Sequence, residues 1–570
     1  MFEKYDMLKK ANIRNEKADI KVRKKRSPMN ITVKTQSGSV AGQVIFEEKE
    51  KKTLLELLRE DQIYLDAPCN GNGSCGKCLV QYEKGSTKVT AAEQETLSAA
   101  QLQQGFRLAC QSVPQEDAVV VLQSVEEMAV QTRFIEKETK ADRKDSAESP
   151  VRQNGIDSGE RPVRPQNDNL GIAVDIGTTT LAAALVDQTT KETICYAVSV
   201  NHQRTYGADV ITRIQAACEG KQDALQAGIR DDLEDLFRQL LEKGQKKKED
   251  IKEIVIAGNT TMCHLLCGFS CEGLGSAPFH PVDLSLQHYT YPELFGRETY
   301  PATVTILPGI SAFVGADIVA GLYSSGMCDL WRQEANDPKT VLFLDIGTNG
   351  EMALLTPGGL FVTSVAAGPA LEGGKIRCGM PGIPGAIAKA SLLGRQRMIT
   401  TTISGVPAIG ICGTGILEIV SELWKYRIID ENGTLPEQYQ KDGFPVAKGI
   451  VFTQEDIRQV QMAKAAIRVG MEVLLQTAGI PAEKVDRVLV AGGFGTALNI
   501  EKAATIGLFP KEVQDKIKLL GNSALEGAID CIKNPQAAEE MQQIAEEAVE
   551  KNLAMQEDFQ EKYIRYMQFN

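Results

Sequence analysis

Short stretches in which apolar and polar residues alternate mark the first patterned part of the chain. Ile31–Val33 and Gly42–Phe46 alternate in this way and predict β-strands. The leucines of Thr53–Glu60 recur at helical spacing, and the apolar run Ala118–Leu122 predicts another strand. We therefore expect a small, strand-rich domain over residues 30–124.

This patterning is absent on either side of the small domain. Residues 1–29 belong to a basic segment, with ten Lys/Arg against four Asp/Glu through Asn30, and we expect a flexible tail there. Residues 125–169 are rich in charge, Ser, Pro and Gly and have almost no apolar periodicity. Such a composition is typical of a flexible linker.

The remaining residues, 170–570, alternate apolar strand-like runs with amphipathic helical patterns. This alternation is typical of an α/β domain. The clearest helices are predicted over Asp223–Lys243 and Thr453–Ala478. The second begins with Thr453 and Asp456 at the spacing of a capping box.

This long segment contains a weak internal repeat of two kinds of strand and turn. The Asp-Gly turn of Gly171–Thr180 is echoed by Val341–Gly350, and the Ala-Gly turn of Glu253–Thr261 is echoed by Arg487–Thr496. The two kinds alternate along the chain. The repeat predicts two similar lobes, each of which contributes one turn of each kind.

The composition narrows the class of protein. The chain has 570 residues, more than one ordinary core accommodates, so at least two domains are expected. Its net charge of −12, from 63 basic and 75 acidic side chains, argues against a broad nucleic-acid-binding surface, and we expect no nucleic-acid partner. The sequence has no run of about 18 apolar residues, so we expect no membrane-spanning helix and no membrane partner.

Two features favour a cytoplasmic protein. The N-terminal segment lacks the apolar middle of a secretory signal. Thirteen cysteines are too dilute in so long a chain for a disulfide scaffold, and their clustering suggests reduced thiols or metal ligands.

The strongest chemical signal is a glycine-rich loop with three cysteines. Cys69, Cys75 and Cys78 lie within ten residues, and Cys110 supplies a fourth thiolate from beyond the loop. Four thiolates suit a 2Fe–2S cluster, and they also suit zinc. Structural zinc usually pairs Cys-x2-Cys with a second close pair, which Cys110 lacks, so a 2Fe–2S cluster is favoured. The loop and its flanks resemble 2Fe–2S ferredoxins of the adrenodoxin-like spacing.

A second group of cysteines follows the first Ala-Gly turn. Cys263, Cys267 and Cys271 recur every four residues, which predicts one shared helix face. Small buried thiols and a second cluster are the two interpretations, of which the first is favoured. The neighbouring His264 is expected to be packed rather than catalytic.

The two Asp-Gly turns carry the second chemical signal. Asp175 and Asp345 each end a predicted buried strand, and each is followed by a tight turn with hydroxyl or amide donors. The turn residues are Gly177, Thr178, Thr179 and Thr180 in the first copy and Gly347, Thr348 and Asn349 in the second. Backbone N–H groups of such turns can bind phosphate oxygens, and the aspartates can hold Mg²⁺ through water. Purely structural turns are the alternative. The sequence has no Walker A motif, because no glycine pattern is followed by Gly-Lys-Ser/Thr.

The turns resemble the phosphate motifs of the ASKHA superfamily of actin, sugar kinases and heat-shock chaperones. This resemblance implies ATP and Mg²⁺ as ligands and a catalytic role for Asp175 and Asp345. The stretch Ala491–Gly495 resembles the adenosine turn of that superfamily. Further expected nucleotide-binding residues are Gly413 and Gly415, which open a predicted helix, and Gly492, Gly493 and Phe494.

Three other stretches are expected near the cleft between the lobes. They are Ala257–Met262, Ile310–Asp317 and Gly521–Gly527. For Asp317, a helix-cap role, a surface role and a ligand role stay open.

From about residue 30 onward, the chain resembles the reductive activators of corrinoid-dependent methyltransferases and corrinoid iron–sulfur proteins. The resemblance rests on the four cysteines, both Asp-Gly turns and the Ala491–Gly495 turn. It implies an α/β multidomain protein, with a β-grasp-like 2Fe–2S ferredoxin domain at 30–124 and a two-lobed, actin-like ASKHA ATPase domain at 170–570.

The same resemblance implies a function. Such an activator uses ATP to return an inactive Co(II) corrinoid protein to Co(I) by one-electron transfer through its cluster. The expected partners are the corrinoid protein and a low-potential electron donor such as ferredoxin or flavodoxin, and a homodimer is one assembly open to the chain. Family members carry a middle domain between the two parts, and here we expect only the linker in that place.

Two other classes of protein remain as alternatives. A small-molecule kinase of the ASKHA type with an attached ferredoxin domain would need a catalytic base, usually Asp, beside its substrate, and no residue is assigned to that role. An activator of radical dehydratases would hold a 4Fe–4S cluster between subunits and lack a ferredoxin domain, so the loop at Cys69 disfavours it.

Overall fold

The computed structural model divides the chain into two compact units, one within residues 1–126 and the other within residues 127–570. The described residues are 29–35, 40–46, 52–61, 63, 65, 67, 71, 73, 76–85, 87–123, 169–327, 329, 339–494, 497–551 and 558–569. The predicted basic tail, apart from Met29, and the predicted linker, apart from Asn169, lie outside the described residues.

The described residues of the smaller unit form a mixed five-stranded sheet and three short helices. Its strand order is β2-β1-β5-β3-β4, with β1 and β5 parallel and the other pairs antiparallel. The strands are β1 Met29–Lys34, β2 Val40–Phe46, β3 Leu79–Lys84, β4 Phe106–Leu108 and β5 Ala118–Leu122. The helices are α1 Leu54–Glu60, α2 Ala91–Thr96 and α3 Ala99–Gln103.

Local sequence accounts for the helices of this unit. Each begins with a reciprocal capping box, formed by Thr53 with Glu56, by Thr90 with Glu93 and by Ser98 with Gln101. The four leucines of α1 are buried in the same core as the inward side chains of β1 and β5. The predicted helix and the predicted strands are therefore confirmed, and β1 begins at Met29, one residue before the expected start.

The larger unit begins with a lobe built on a six-stranded sheet. Its order is β10-β11-β9-β6-β7-β8. The strands are β6 Leu170–Ile176, β7 Thr180–Asp187, β8 Thr193–Val200, β9 Ile251–Gly258, β10 Gln287–Thr290 and β11 Thr303–Ile306. The helices of this first lobe are α4 Val210–Ala216, α5 Gln222–Gly244, α6 Thr260–Cys267, α7 Glu272–Gly275, α8 Tyr291–Phe295 and α9 Ala316–Ser324.

The second lobe also has a six-stranded main sheet, with the order β21-β20-β12-β13-β14-β22. Its described residues also form two smaller sheets, β16-β15-β17 and β18-β19. The first strands are β12 Val341–Ile346, β13 Gly350–Thr356, β14 Gly359–Val365, β15 Ala386–Leu393, β16 Arg397–Thr402 and β17 Gly410–Ile411. The others are β18 Phe444–Ala447, β19 Ile450–Phe452, β20 Arg487–Ala491, β21 Ile517–Gly521 and β22 Val549–Glu550.

The helices of the second lobe follow the same chain order. They are α10 Gly413–Lys425, α11 Glu437–Gln440, α12 Gln454–Thr477, α13 Ile500–Thr505, α14 Ser523–Lys533, α15 Ala537–Glu547 and α16 Phe559–Met567. The two long predicted helices are confirmed as α5 and α12, and Thr453 forms the expected capping box with Asp456. Because α12 buries a continuous apolar face, most of its stability comes from packing in this lobe.

The internal repeat is confirmed as a repeated sheet. In the first lobe, β6 lies between the parallel strand β9 and the antiparallel strand β7, and β8 follows. In the second lobe, β12 lies between the parallel strand β20 and the antiparallel strand β13, and β14 follows. In each lobe, the aspartate turn thus follows a central buried strand, and the neighbouring parallel strand leads into the Ala-Gly turn.

The core between the two lobes is shared. One cluster of buried side chains joins Ala173 and Val255 of the first sheet, Phe343 and Leu489 of the second, and helices α9 and α14. In the described part of the chain, no helix is both long enough and apolar enough to cross a membrane.

Candidate functional sites

The cysteine site lies where two neighbouring strands of the smaller unit meet. Cys78 directly precedes β3, and Cys110 follows β4, which is paired with β3 so that Leu79 lies opposite Leu108. This register brings the two Sγ atoms within 3.3 Å of each other. Both residues are buried, with 1% and 5% of their surfaces exposed. Cys69 and Cys75 lie outside the described residues.

The loop that carries the other thiols is shaped by glycines and supported from beside it. Gly71, Gly73 and Gly76 have positive φ values, which other residues adopt at a cost. The Gln111 carboxamide donates from Nε2 to the Gly71 carbonyl at 3.1 Å and to Cys110 Sγ at 3.7 Å. The Thr96 hydroxyl donates to the Gly73 carbonyl at 3.3 Å. Adjacent buried thiols and a glycine loop fit a cluster held by four cysteines.

Replacing Gln111 by Leu is expected to lower the reduction potential of the cluster by tens of millivolts. Hydrogen bonds to ligand sulfurs stabilise the reduced, more negative cluster, and this variant loses one. Anaerobic redox titration followed by EPR measures the shift. The matched control is Gln103→Leu on the exposed end of α3. Equal potentials in both variants would contradict this role for Gln111.

The first aspartate turn is held by buried polar side chains. The Arg213 guanidinium, which is fully buried, donates to the Thr178 carbonyl at 2.5 Å. The Asn201 amide donates to the Gly177 carbonyl at 2.9 Å, and the Asn259 amide donates to the Thr178 hydroxyl at 3.1 Å. With three carbonyl and hydroxyl oxygens held in this way, the conformation of the turn is fixed before any ligand arrives.

The aspartates are approached closely by two other predicted turns. The Asn522 amide, at the N-cap of α14, donates to Asp175 Oδ2 at 2.8 Å. Gly492 lies so close to Asp345 that a Cβ there would be 2.3 Å from Oδ1, and its φ of +83° is also one that favours glycine. A glycine is thus required where the Ala-Gly turn meets the second aspartate.

The turns from both lobes line one cavity of about 1420 Å³. Small-molecule sites are typically about 300–1,000 Å³, so a nucleotide would fit. The predicted residues that line it are Asp175, Gly177, Thr178, Thr179, Thr180, Asp345, Gly347, Thr348, Asn349, Gly413, Gly492 and Gly493. Gly415 is not among the lining residues. It lies in the first turn of α10, where a Cβ would be 2.0 Å from the Ile387 carbonyl oxygen, so its small size permits close packing of α10 on β15. Phe494 follows in the same short helix as Gly492, and its side chain lies outside the described residues.

Five of the carboxyl groups that line this cavity lie close enough for their charges to interact, and they belong to Asp175, Asp317, Asp345, Glu351 and Glu372. Burial raises the pKa of Asp175 to about 6. Burial, reinforced by the charge of Asp175, raises the pKa of Asp317 to about 7. The pKa values of Asp345 and Glu351 are raised well above the usual range by burial and by neighbouring carboxylates. Such a cluster strongly favours a cation.

The cluster does not form a direct metal cage. Within the described ranges, no three His, Cys, Asp or Glu side chains lie close enough to hold a metal ion together. Water and phosphate oxygens, the ligands that Mg²⁺ usually keeps, would therefore complete its shell. Asp317 lines this cavity from the first turn of α9, so a surface role for it is wrong.

Replacing Asp317 by Asn is expected to stabilise the protein at pH 8 in Mg²⁺-free buffer by about 1–3 kcal/mol. Folding raises the pKa of Asp317, so the folded state favours the protonated carboxyl group. This protonation stabilises the folded protein fully below about pH 4, and the stabilisation is lost as the pH rises through about 7. The asparagine carries no charge at any pH and keeps the oxygen that accepts from the Ile318 N–H.

Thermal unfolding at pH 5 and pH 8 measures this effect. The gain should be larger at pH 8 and should shrink when Mg²⁺ is added. The matched control is Asp442→Asn, an exposed carboxylate of the second lobe. A variant that is less stable than wild type at pH 8 would contradict the account.

Sequence reasoning missed several residues of the cavity. Glu372 accepts from the Thr348 hydroxyl at 2.5 Å and from the Thr179 hydroxyl at 3.5 Å, so it contacts both aspartate turns. Lys502 lies 2.5 Å from Glu418 and 3.2 Å from Glu422, and it ties α13 to α10 beside the Gly413 turn. Folding of the chain brings Glu372 and Lys502 to the cavity from distant segments, and no local sequence pattern indicates their place there.

The second group of cysteines is not a shared helix face. Helix α6 ends at Cys267, and Cys271 lies beyond the left-handed Gly268, so that prediction is wrong. Burial raises the pKa values of Cys263, Cys267 and Cys271, as expected for protonated packed thiols. His264 is packed as predicted, with Nδ1 at 2.9 Å from the Thr260 carbonyl and the Val282 N–H donating to Nε2.

Comparison with protein families accounts for both units. The model of the 2Fe–2S iron–sulfur cluster binding domain matches residues 38–115. The model of the RACo middle region matches residues 170–329, and the model of the C-terminal domain of RACo, the ASKHA domain, matches residues 339–570. The two RACo models together match most of the chain, so the chain belongs to the RACo family. The predicted fold class, a ferredoxin domain followed by an ASKHA domain, is confirmed.

The match to the middle region corrects one expectation. That region is present as the first lobe, so the view that only the linker stands in its place is wrong. The first aspartate turn therefore belongs to the middle region and the second to the ASKHA domain. Residues 38–115 contain all four predicted cluster cysteines, and this RACo-family chain thus has a 2Fe–2S binding domain.

Characterised relatives are similar over much of the chain. The corrinoid activation enzyme RamQ of Eubacterium limosum is 32% identical over 388 residues, which are 63% of each chain. The [Co(II) methylated amine-specific corrinoid protein] reductase of Methanosarcina barkeri is 26% identical over 416 residues, 68% of this chain and 74% of that protein. The match thus spans somewhat under two thirds of the first relative. A solved reductive activator for corrinoid, iron–sulfur protein is 26% identical, with a TM-score of 0.65, and covers 95% of this chain and 98% of its own.

Proposed function

We propose that this RACo-family chain is an ATP-dependent activator that returns a Co(II) corrinoid protein to Co(I) by transfer of one electron. The observation that carries the proposal is the cavity lined by aspartate turns from both lobes, in a chain that also holds two adjacent buried cysteines. The relatives' names, which describe corrinoid activation and Co(II) corrinoid protein reduction, support the choice of substrate.

The two lobes, residues 170–570, would act as one nucleotide-binding unit. Asp175 and Asp345 would hold Mg²⁺ through water, and the residues of both Asp-Gly turns would bind the phosphates. The Gly413 turn and the Gly492–Phe494 turn would hold the adenosine. Because the two lobes contribute opposite sides of the cavity, nucleotide binding would favour their closed arrangement, a hinge motion typical of this kind of site.

The smaller unit, residues 30–124, would hold the cluster on Cys69, Cys75, Cys78 and Cys110. A plant-type 2Fe–2S cluster supplies one electron at about −400 mV. If the cobalt lies about 200 mV lower, transfer is disfavoured by about 4–5 kcal/mol, since 59 mV corresponds to a factor of ten for one electron. The open and closed states of the lobes would bind the corrinoid protein with different affinities. Binding of MgATP would shift the lobes toward one of these states, and the difference in affinity would offset the cost of the transfer.

The partners in this proposal are the corrinoid protein and a low-potential donor such as ferredoxin or flavodoxin, in the cytoplasm. A homodimer is one assembly open to the chain. Neither nucleic acid nor a membrane takes part.

A single-turnover experiment tests the transfer. The chain, reduced anaerobically and freed of reductant, is mixed with a Co(II) corrinoid protein and MgATP. Both the EPR signal of the reduced chain and the Co(II) signal should decline together, with one electron transferred per chain. Persistence of both signals would contradict the proposal. A phosphorylated product formed from a mixture of sugars and MgATP would instead favour a small-molecule kinase.

A further inference from the structure

Glu372 occupies the meeting point of the two phosphate turns. Its Oε2 accepts from the Thr348 hydroxyl of the second lobe at 2.5 Å and from the Thr179 hydroxyl of the first lobe at 3.5 Å. Among the carboxyl groups of the described cavity, it is the one bonded to hydroxyls of both turns. A terminal phosphate held between those turns would therefore lie next to this carboxylate.

The segment that carries Glu372 is held rigidly. Glu372 ends the short 3₁₀ helix Pro369–Glu372, and Gly373 follows with a φ of +88°. A Cβ at Gly373 would be 2.7 Å from the Met380 carbonyl oxygen, and a Cβ at Gly374 would be 2.5 Å from the Pro369 ring. These contacts leave no room for a side chain at Gly373 or Gly374, so the backbone next to Glu372 is tightly packed. The carboxylate is therefore carried by a packed segment and not by a mobile loop.

The charges around Glu372 suit a base. Burial raises its pKa, while the Thr348 and Thr179 hydroxyls and the positive charge of Arg204 oppose that rise and favour the ionised form. Asp345 is the neighbouring anion on the second turn, and its own pKa is raised in part by Glu372. The Glu372 carboxylate can thus accept a hydrogen bond, and it is not one of the two aspartates proposed to hold Mg²⁺.

We infer that Glu372 is the general base of ATP hydrolysis, an inference that rests on the proposed ATPase function. Glu372 takes a proton from a water molecule as the water oxygen forms a bond to the terminal phosphorus. The bond from that phosphorus to the bridging oxygen breaks, and ADP leaves with its electron pair. The products are ADP and inorganic phosphate, and the proton passes on to solvent.

The chemistry separates Glu372 from the kinase alternative. A kinase base would act on a substrate hydroxyl, which requires an acceptor site beside the base. Here the hydroxyls of the two turn threonines, which already belong to the phosphate site, donate to the carboxylate. Water is small enough to enter between a phosphate and Glu372, so hydrolysis is the reaction that this placement favours.

The test compares Glu372→Gln, Glu372→Ala and wild type as full-length proteins. Glu372→Gln keeps the shape and an acceptor oxygen, so MgATP should bind with wild-type affinity while the single-turnover rate of hydrolysis falls by about 10²–10⁴-fold. Formate, a small carboxylate, should restore part of the rate in Glu372→Ala. The matched control is Glu437→Gln, an exposed glutamate at the start of α11, which should hydrolyse ATP like wild type.

Each outcome decides the inference. Wild-type hydrolysis by Glu372→Gln would overturn it. Loss of MgATP binding in Glu372→Gln, measured by calorimetry, would also overturn it, because the carboxylate would then hold the nucleotide or the lobes rather than activate water. Absence of ATP binding and hydrolysis in the wild type would be a failure of the proposed function itself, and it is seen without any variant.

Discussion

Replacement of Asp345 by Asn is expected to lower the rate of ATP hydrolysis by about 10²–10³-fold, the usual effect of removing one group that stabilises transition-state charge. The aspartate ends β12 and faces the cavity that it shares with Asp175, so its charge would hold Mg²⁺ against the phosphates. The asparagine keeps the size and one oxygen but loses the negative charge. Asp175→Asn in the first lobe should have an effect of the same order, because the two turns occupy matching places.

Folding should survive both changes, since they remove a charge that burial and neighbouring carboxylates disfavour. Each variant should be at least as stable as wild type in Mg²⁺-free buffer at pH 8. Hydrolysis is measured as release of inorganic phosphate at saturating MgATP, with Asp442→Asn as the control. Wild-type rates in both aspartate variants would show that the turns are structural only.

Replacement of Cys78 by Ser is expected to abolish reduction of the corrinoid protein and to remove or alter the rhombic EPR signal of the reduced chain. Cys78 lies against Cys110 in the buried core of the smaller unit, so we expect its sulfur to be a cluster ligand. Iron–sulfur clusters prefer thiolate ligands, and serine offers a harder oxygen instead.

ATP binding and hydrolysis should be unchanged in Cys78→Ser, because the nucleotide cavity is lined within the other unit. Cys218→Ser, which replaces an exposed thiol of the first lobe, is the matched control. Analysis of bound metal completes the experiment, with two irons per wild-type chain expected. Stoichiometric zinc without iron, or unchanged corrinoid reduction by Cys78→Ser, would contradict the assignment.

The parts of the site that local sequence encodes were predictable. An Asp-Gly turn is set by a buried strand and the residues directly after it, so Asp175 and Asp345 could be recognised and paired through the repeat. The capping-box spacing of Thr453 and Asp456 likewise predicts the start of α12. The places of these residues depend on neighbours within a few positions, and such patterns are legible in a single sequence.

Residues brought in by tertiary folding were not predictable in the same way. Glu372 reaches the turns from a 3₁₀ helix that follows β14, and its hydrogen bonds to Thr179 and Thr348 join segments 193 and 24 residues away. No local pattern records such contacts. The spacing of the cysteines predicts Cys271 on the same helix face as Cys263, but the helix ends before Gly268. The four-residue spacing continues beyond that end, so it does not reflect a helix there. The middle region was overlooked because its strands repeat those of the ASKHA domain, so both lobes resembled a single domain.

The dependence of cobalt reduction on ATP tests the central claim most directly. Wild-type chain, a low-potential reductant and a Co(II) corrinoid protein are mixed anaerobically, and the Co(I) absorbance band is followed with and without MgATP. The account predicts that Co(I) accumulates with MgATP and that little forms without it, with Asp345→Asn behaving as if ATP were absent. Equal formation of Co(I) with and without MgATP would contradict the account.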